Sequence, residues 1–99
     1  MSEATHMELE HPGIILREEF VEPLGISFGR LAEVTGIPKG SLSKIVNGKY
    51  AITAETGIRL SRAFGLSDGY FYRLQTAYSS EQAAKKLENL GIEVRSVVS

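Results

Sequence analysis

Between Lys39 and Lys49 the chain places three lysines (Lys39, Lys44, Lys49), two serines (Ser41, Ser43) and Asn47 within eleven residues. These side chains share one kind of chemistry. A lysine ammonium neutralises phosphate and donates to guanine O6 or N7, while serine and asparagine hydrogen-bond to base edges or backbone oxygens. Other chemistries lack a constellation. Ser41 and Lys44 have the spacing of a serine nucleophile and its lysine, but every companion motif of that chemistry is missing. Glu18 and Glu19 are adjacent, so on a helix they point in different directions and cannot act as a paired acid and base. His6 and His11 stand five apart with Glu8 and Glu10 near, but no helix or turn holds that spacing around a metal. Cysteine is absent, which removes disulfides and thiolate metal sites. The residues describe a binding protein rather than an enzyme, with no metal or cofactor.

The elements that must position these side chains form a helix-turn-helix. Ser27 is an N-cap for a first short helix, with Leu31, Ala32 and Val34 as its apolar positions. Gly36 ends that helix in a left-handed C-cap, and Ala32 four residues before it leaves room for close helix approach. Ile37 inserts into a turn of about four residues. Pro38 opens the second helix, where its missing N–H costs little. Leu42, Ile45 and Val46 fall at i, i+3 and i+4 and form one buried stripe. Lys39, Ser41, Ser43, Lys44 and Asn47 are left for the other side, and Gly48 stops the helix. A short helix with polar and basic groups of this reach can enter a DNA major groove. The same apolar spacing also fits a plain helical hairpin in a bundle.

The chain of 99 residues is read as one all-α domain at 11–90, after a disordered lead-in at 1–10. Hydrophobic content of 42% and charged content of 23% are those of an ordinary soluble protein. No signal-peptide pattern or long apolar run is seen, so the expected location is the cytoplasm. The net charge of −1 hides an uneven distribution. Residues 1–22 hold six glutamates against one arginine. Residues 39–73 hold Lys39, Lys44, Lys49, Arg59, Arg62 and Arg73 against only Glu55 and Asp68. Local field, not net charge, attracts phosphate. The arginines also fit ordinary solvated helix faces.

Around the central motif, Pro12 starts a first helix with Ile15, Leu16, Phe20 and Leu24 as its core stripe, ended by Pro23. In the turn Asn47-Gly48-Lys49-Tyr50, free backbone amides and Lys49 could clamp a phosphate. Ile52 anchors that loop. Thr53 caps a helix from Ala54 to about Phe64, closed by Gly65, with Gly57 marking a close helix–helix contact. Ser67 caps a further helix from Asp68 to about Tyr78. Its Tyr70, Phe71, Tyr72, Leu74 and Tyr78 carry more apolar surface than one core face needs, so part of it suits a partner. Ser79 or Ser80 with Gln82 reads as a capping box for a last helix, Glu81 to Leu90. Residues 91–99 alternate briefly and end apolar, as a short edge strand pairing across a dimer or as an irregular tail.

Three segments carry a resemblance that spans about residues 11–85: HPGIILREEFVEPLGIS, GRLAEVTGIPKGSLSKIVNGKYAITAETGIRLSRAFG and YFYRLQTAY. They resemble the HigA family of antitoxins, which belong to the phage-repressor-like (Xre) helix-turn-helix proteins. The resemblance implies a five-helix DNA-binding domain acting as a homodimer. It implies repression of its own operon through a palindromic operator, and neutralisation of a HigB-like, mRNA-cleaving toxin. In that class the N-terminal half of the second motif helix reads bases, which here means Lys39, Gly40, Ser41, Ser43 and Lys44. Ser27, Asn47 and Lys49 match positions that contact the DNA backbone. This chain departs from the family pattern in four places. Phe28 stands for the usual glutamine and Ile14 for a frequent glutamate. Phe71 replaces a tryptophan, and Asp68-Gly69 replaces Pro-Glu.

Phe28, Tyr70, Tyr72 and Tyr78 are therefore the expected partner or dimer surface. Two other functions fit the residues less fully. One is a stand-alone transcriptional regulator of the same type. The other is a helical interaction module without DNA binding, which would leave Lys39, Ser43 and Lys44 unexplained.

Overall fold

The structure, a computed structural model, describes residues 8–98. It contains five helices and, among the described residues, no strand. Helix α1 covers 12–24 in three parts: Pro12–Ile15 and Glu22–Leu24 are α-helical, and Leu16–Val21 between them is a π-helix. Helices α2 (Phe28–Thr35), α3 (Lys39–Val46), α4 (Ala54–Ala63) and α5 (Tyr70–Asn89) follow. Helix α3 packs on both α1 and α2, α2 also meets α4, and α5 closes the other side against α4 and the start of α1.

The first helix begins as its residues dictate and ends later than Pro23 suggests. His11 is the N-cap, its Nδ1 accepting from the Gly13 N–H at 2.9 Å, and Pro12 sits in the first turn where no amide partner is needed. Proline collides with the carbonyl four residues back. Here the wider π turn lies directly before it, with the Glu22 N–H reaching back to Arg17 O, the arrangement that relieves that clash. The helix therefore continues to Leu24 and stops at Gly25, whose φ is +64°. Leu24 is consequently 63% exposed rather than in the core.

The core is made by Leu16, Val21, Leu31, Ile37, Leu42, Ile45, Val46, Ile52, Leu60 and Phe71, with Phe20, Phe28, Phe64, Tyr70 and Leu74 packed around it. Phe20 sits at the centre of an aromatic cluster, tilted against Phe64 and edge-on to Tyr70 and Phe71, at centroid distances of 5.2, 5.9 and 5.3 Å. On α2, Leu31 is buried as the spacing predicts, but Val34 is 51% exposed and Thr35 takes the inward place.

Two glycines are set by contact. At Gly13 an added Cβ would overlap the carbonyl oxygen of Ile45, so α1 lies on the α3 backbone itself. At Gly57 an added Cβ would lie 3.3 Å from the Tyr72 nitrogen, which bears out the close α4–α5 contact.

The C-terminal part differs from expectation. Helix α5 begins at Tyr70, not Asp68, because Asp68 forms an ion pair with Arg62 and Gly69 is the N-cap. It then runs unbroken through Ser79 and Ser80. A capping box needs its serine in extended backbone. No glycine or proline interrupts the chain there, and the Ser79 hydroxyl instead accepts from Gln75 Nε2 at 3.0 Å. The helix ends at Asn89 with Leu90 as its C-cap, and Gly91 follows at φ +67°. Residues 92–98 are irregular and make no strand, the Ser96 hydroxyl closing a small local turn with Val98.

At the other end, residues 8–10 are coil but tied to α5. Glu8 pairs with Lys85 at 2.9 Å and the Leu9 N–H donates to Glu81 at 2.9 Å. The remainder of the expected lead-in, 1–7 with His6, lies outside the described residues, as does Ser99.

Candidate nucleic-acid interface

The turn between α2 and α3 is held by groups that the apolar pattern does not reveal. Gly36 takes φ +75° and its N–H bonds to Ala32 O at 2.8 Å. The buried Thr35 hydroxyl donates to Leu31 O at 2.7 Å and accepts from the Ile37 N–H at 3.1 Å. Arg59 reaches across from α4 and donates to Thr35 O at 2.7 Å, capping the end of α2, while Glu55 holds its other nitrogens at 3.0–3.2 Å. A buried neutral hydroxyl and a long-range arginine fix the angle between the two motif helices.

The C-terminal end of α3 is closed as tightly. Gly48 takes φ +77°, its N–H bonds to Ile45 O, and the N–H groups of Lys49 and Tyr50 bond to Lys44 O at 2.8 and 3.2 Å. This is a Schellman-type closure. It corrects the expectation that the amides of this turn are free for a phosphate: they already satisfy the last carbonyls of the helix. Lys49 remains available through its side chain. Beyond the turn, Ile52 is fully buried and its N–H is held by Gln75 Oε1 at 2.8 Å.

With α3 fixed, its two sides separate. Leu42, Ile45 and Val46 are buried. Lys39, Gly40, Lys44 and Asn47 are exposed, with Lys49 after them, and Ser43 is half-buried. An added Cβ on Gly40 would meet nothing within 4 Å, so that position is open to close approach. Ser41 is half-buried and lines an open groove beside the first turn of α3, together with Ile37, Pro38, Lys49, Tyr50, Thr56 and Arg59. Ser27 caps α2, its Oγ accepting from the Arg30 N–H at 3.0 Å. The structure thus leaves Lys39, Gly40, Lys44, Asn47 and Lys49 exposed along the length of α3 and its turn, with Ser41 and Ser43 half-buried.

The charges sort themselves in the same way. Among the described residues Lys39, Lys44 and Lys49 have no carboxylate within 4.0 Å. Arg59 and Arg62 are paired with Glu55 and Asp68, and Arg73 donates to the Ser67 hydroxyl at 3.1 Å. Hydrogen bonding to Arg62 holds the Asp68 carboxyl below its ordinary range, and the same contact raises Arg62. Among the cations of residues 30–62, those without a carboxylate partner are the lysines of α3 and its turn.

Of the expected partner surface, Phe28 is half-buried against the core and Tyr70 belongs to the Phe20 cluster. Tyr78 is half-buried and stacks edge-on to His11 at 5.2 Å. Tyr72 is 42% exposed. The larger apolar exposure lies further on, at Leu87, Leu90, Ile92, Val94, Val97 and Val98. Thr35, Arg59 and Gln75 were not legible as supports of the site. Each acts through a partner on another element or through a buried hydroxyl, and polarity alone gives no sign of that.

A short helix set on a tight turn, buried on one side and carrying unpaired lysines on the other, defines a helix-turn-helix domain. The helix-turn-helix family model (HTH_3) matches residues 16–71, and the chain belongs to that family, which binds DNA and is not a class of enzymes. Virulence-associated protein I of Dichelobacter nodosus is 37% identical over 82 residues, covering 83% of this chain and 76% of that protein. Antitoxin HigA of Pseudomonas aeruginosa, solved with the higBA promoter, superposes with a TM-score of 0.83 at 30% identity, over 92% of this chain and 100% of that one. A HigA-family addiction-module antidote protein from Coxiella burnetii gives a TM-score of 0.80 at 36% identity, over 91% of this chain and 99% of that one. Within the helix-turn-helix proteins, the chain belongs to the HigA family.

Proposed function

We propose that this chain is an antitoxin that represses its own operon as a homodimer on a palindromic operator and neutralises a HigB-like, mRNA-cleaving toxin, in the cytoplasm where its DNA lies. Lys39, Gly40, Ser41, Ser43 and Lys44 face base edges, and Ser27, Asn47 and Lys49 hold the DNA backbone. The observation that carries the DNA role is the set of three lysines, free of carboxylate partners among the described residues, on the outward side of α3 and its turn. A lysine with no internal carboxylate is available to phosphate and to guanine acceptors. The solved complex of P. aeruginosa HigA with its promoter supports the same use of the fold. Two copies spanning successive major grooves would present their α3 helices about 34 Å apart. The exposed apolar side chains from Leu87 to Val98, with Tyr72, supply surface for a second copy or a toxin.

The test is binding of the purified protein to a labelled fragment of its own promoter at two salt concentrations, with scrambled DNA as competitor. A complex that survives the competitor and weakens with salt establishes the operator role. Loss to scrambled DNA refutes it and leaves an interaction protein. Co-expression with the toxin encoded beside it tests the second role: growth must be restored and the two proteins must co-purify.

A further inference from the structure

Tyr50 has no role in the reading above. It follows Lys49 in the turn and is 46% exposed. Its ring faces the Lys44 ammonium, with Nζ 5.2 Å from the centroid, and Nζ donates to the Tyr50 hydroxyl at 3.4 Å. The Tyr50 N–H also donates to Lys44 O at 3.2 Å. Main chain and side chain of the turn residue therefore both engage Lys44. The turn itself is stiff: Gly48 closes α3 on one side, and buried Ile52, pinned by Gln75, anchors the chain on the other. A ring on such a support can restrain a side chain that is otherwise free.

Lysine carries a flexible four-carbon stem whose rotamer freedom is lost when the ammonium is fixed on a base edge. A cation resting on an aromatic face has lost part of that freedom before the DNA arrives. We propose that Tyr50 is a positioning residue: it holds the Lys44 ammonium on the groove side of α3 and so raises the preference for operator over other DNA. The inference rests on the reading of Lys44 as a base contact. It concerns discrimination because an ammonium held in one place favours a site whose acceptor lies there. Non-specific DNA asks only for positive charge near phosphate. A Tyr50 that instead touched phosphate itself would act on every sequence and would not need Lys44.

The experiment is a double-mutant cycle on the full chain, with the promoter fragment and a scrambled duplex of equal length. Tyr50→Ala is expected to weaken operator binding about two- to five-fold, the size of an exposed cation–ring contact. Scrambled DNA should lose less, and Tyr50→Phe, which keeps the ring, should fall between unaltered protein and Tyr50→Ala. With Lys44→Ala already present, Tyr50→Ala should change nothing further. In the DNA-free protein, the Lys44 ε-methylene NMR signals should carry a ring-current shift that Tyr50→Ala removes.

Equal losses on both DNAs, the same loss with and without Lys44, or no ring-current shift would overturn the role. Unaltered protein with no preference for the operator would overturn the operator reading as well. A preference that depends on Lys44 but not on Tyr50 would overturn only this one.

Discussion

The lysines of α3 and its turn and the arginines of α2 and α4 carry the same charge, yet the fold uses them in opposite ways. Arg30 pairs with Glu33 at 2.8 Å, Arg59 with Glu55 at 3.0 Å and Arg62 with Asp68 at 2.9 Å. Lys39, Lys44 and Lys49 have no such partner among the described residues. The planar guanidinium fork suits carboxylate and carbonyl oxygens inside the protein, whereas the ammonium is a mobile point charge suited to phosphate. A basic balance counted along the sequence therefore overstates the outward field. Arg59 holds the motif turn, while the lysines of α3 and its turn have no carboxylate partner among the described residues.

The severest way to break this comparison is to disturb the floor on which the lysines stand. In Gly13→Ala the new methyl meets the Ile45 carbonyl, so α1 and α3 must separate. A loss of about 3 kcal/mol or more is expected, seen as a lower melting temperature together with lost DNA binding. A variant that melts like the unaltered protein would show that α1 does not rest on α3 in this way.

Next come the two classes of cation. Lys44→Ala should cost about 1–3 kcal/mol of operator binding and leave the melting temperature unchanged. An unchanged operator affinity would remove Lys44 from the interface. Arg59→Ala should do the reverse, losing about 1–2 kcal/mol of stability because the Thr35 carbonyl loses its charged donor. Chemical denaturation measures it, and a stable variant defective only in DNA binding would move Arg59 to the lysine class.

The smallest effect concerns a cation kept neutral. Burial lowers the His11 pKa below its ordinary value of 6.5, and the neutral Nδ1 accepts the Gly13 N–H. A group that resists protonation in the native state contributes stability above its ordinary pKa, and that stability is lost as pH falls toward the lowered value. Melting measured from about pH 7.5 down to 5.5 should therefore decline, and His11→Asn, which keeps an N-cap acceptor, should flatten that decline. A slope that persists in the variant would place its origin elsewhere.

Several elements were legible because their causes are local. Ser27 and Thr53 cap α2 and α4 as their hydroxyls predict. Gly36, Gly48 and Gly65 take the left-handed closures that end α2, α3 and α4. Leu42, Ile45 and Val46 form the buried stripe of α3. The reading failed where a local signal competed with the surroundings. Pro23 did not end its helix because a π turn precedes it, and Ser79 did not begin a new one because Gln75 uses its hydroxyl.

The sequence by itself determined that the fold is all helical, where the motif turn lies, and which residues the outward side of α3 offers. Those follow from backbone preference and from apolar spacing at 3.6 residues per turn, both properties of neighbours along the chain. Only the tertiary structure decided what holds the motif in place: Arg59 meets Thr35 across 24 residues, and Gln75 meets Ile52 across 23. Such contacts exist once α4 and α5 have packed, and no periodicity along the chain encodes them.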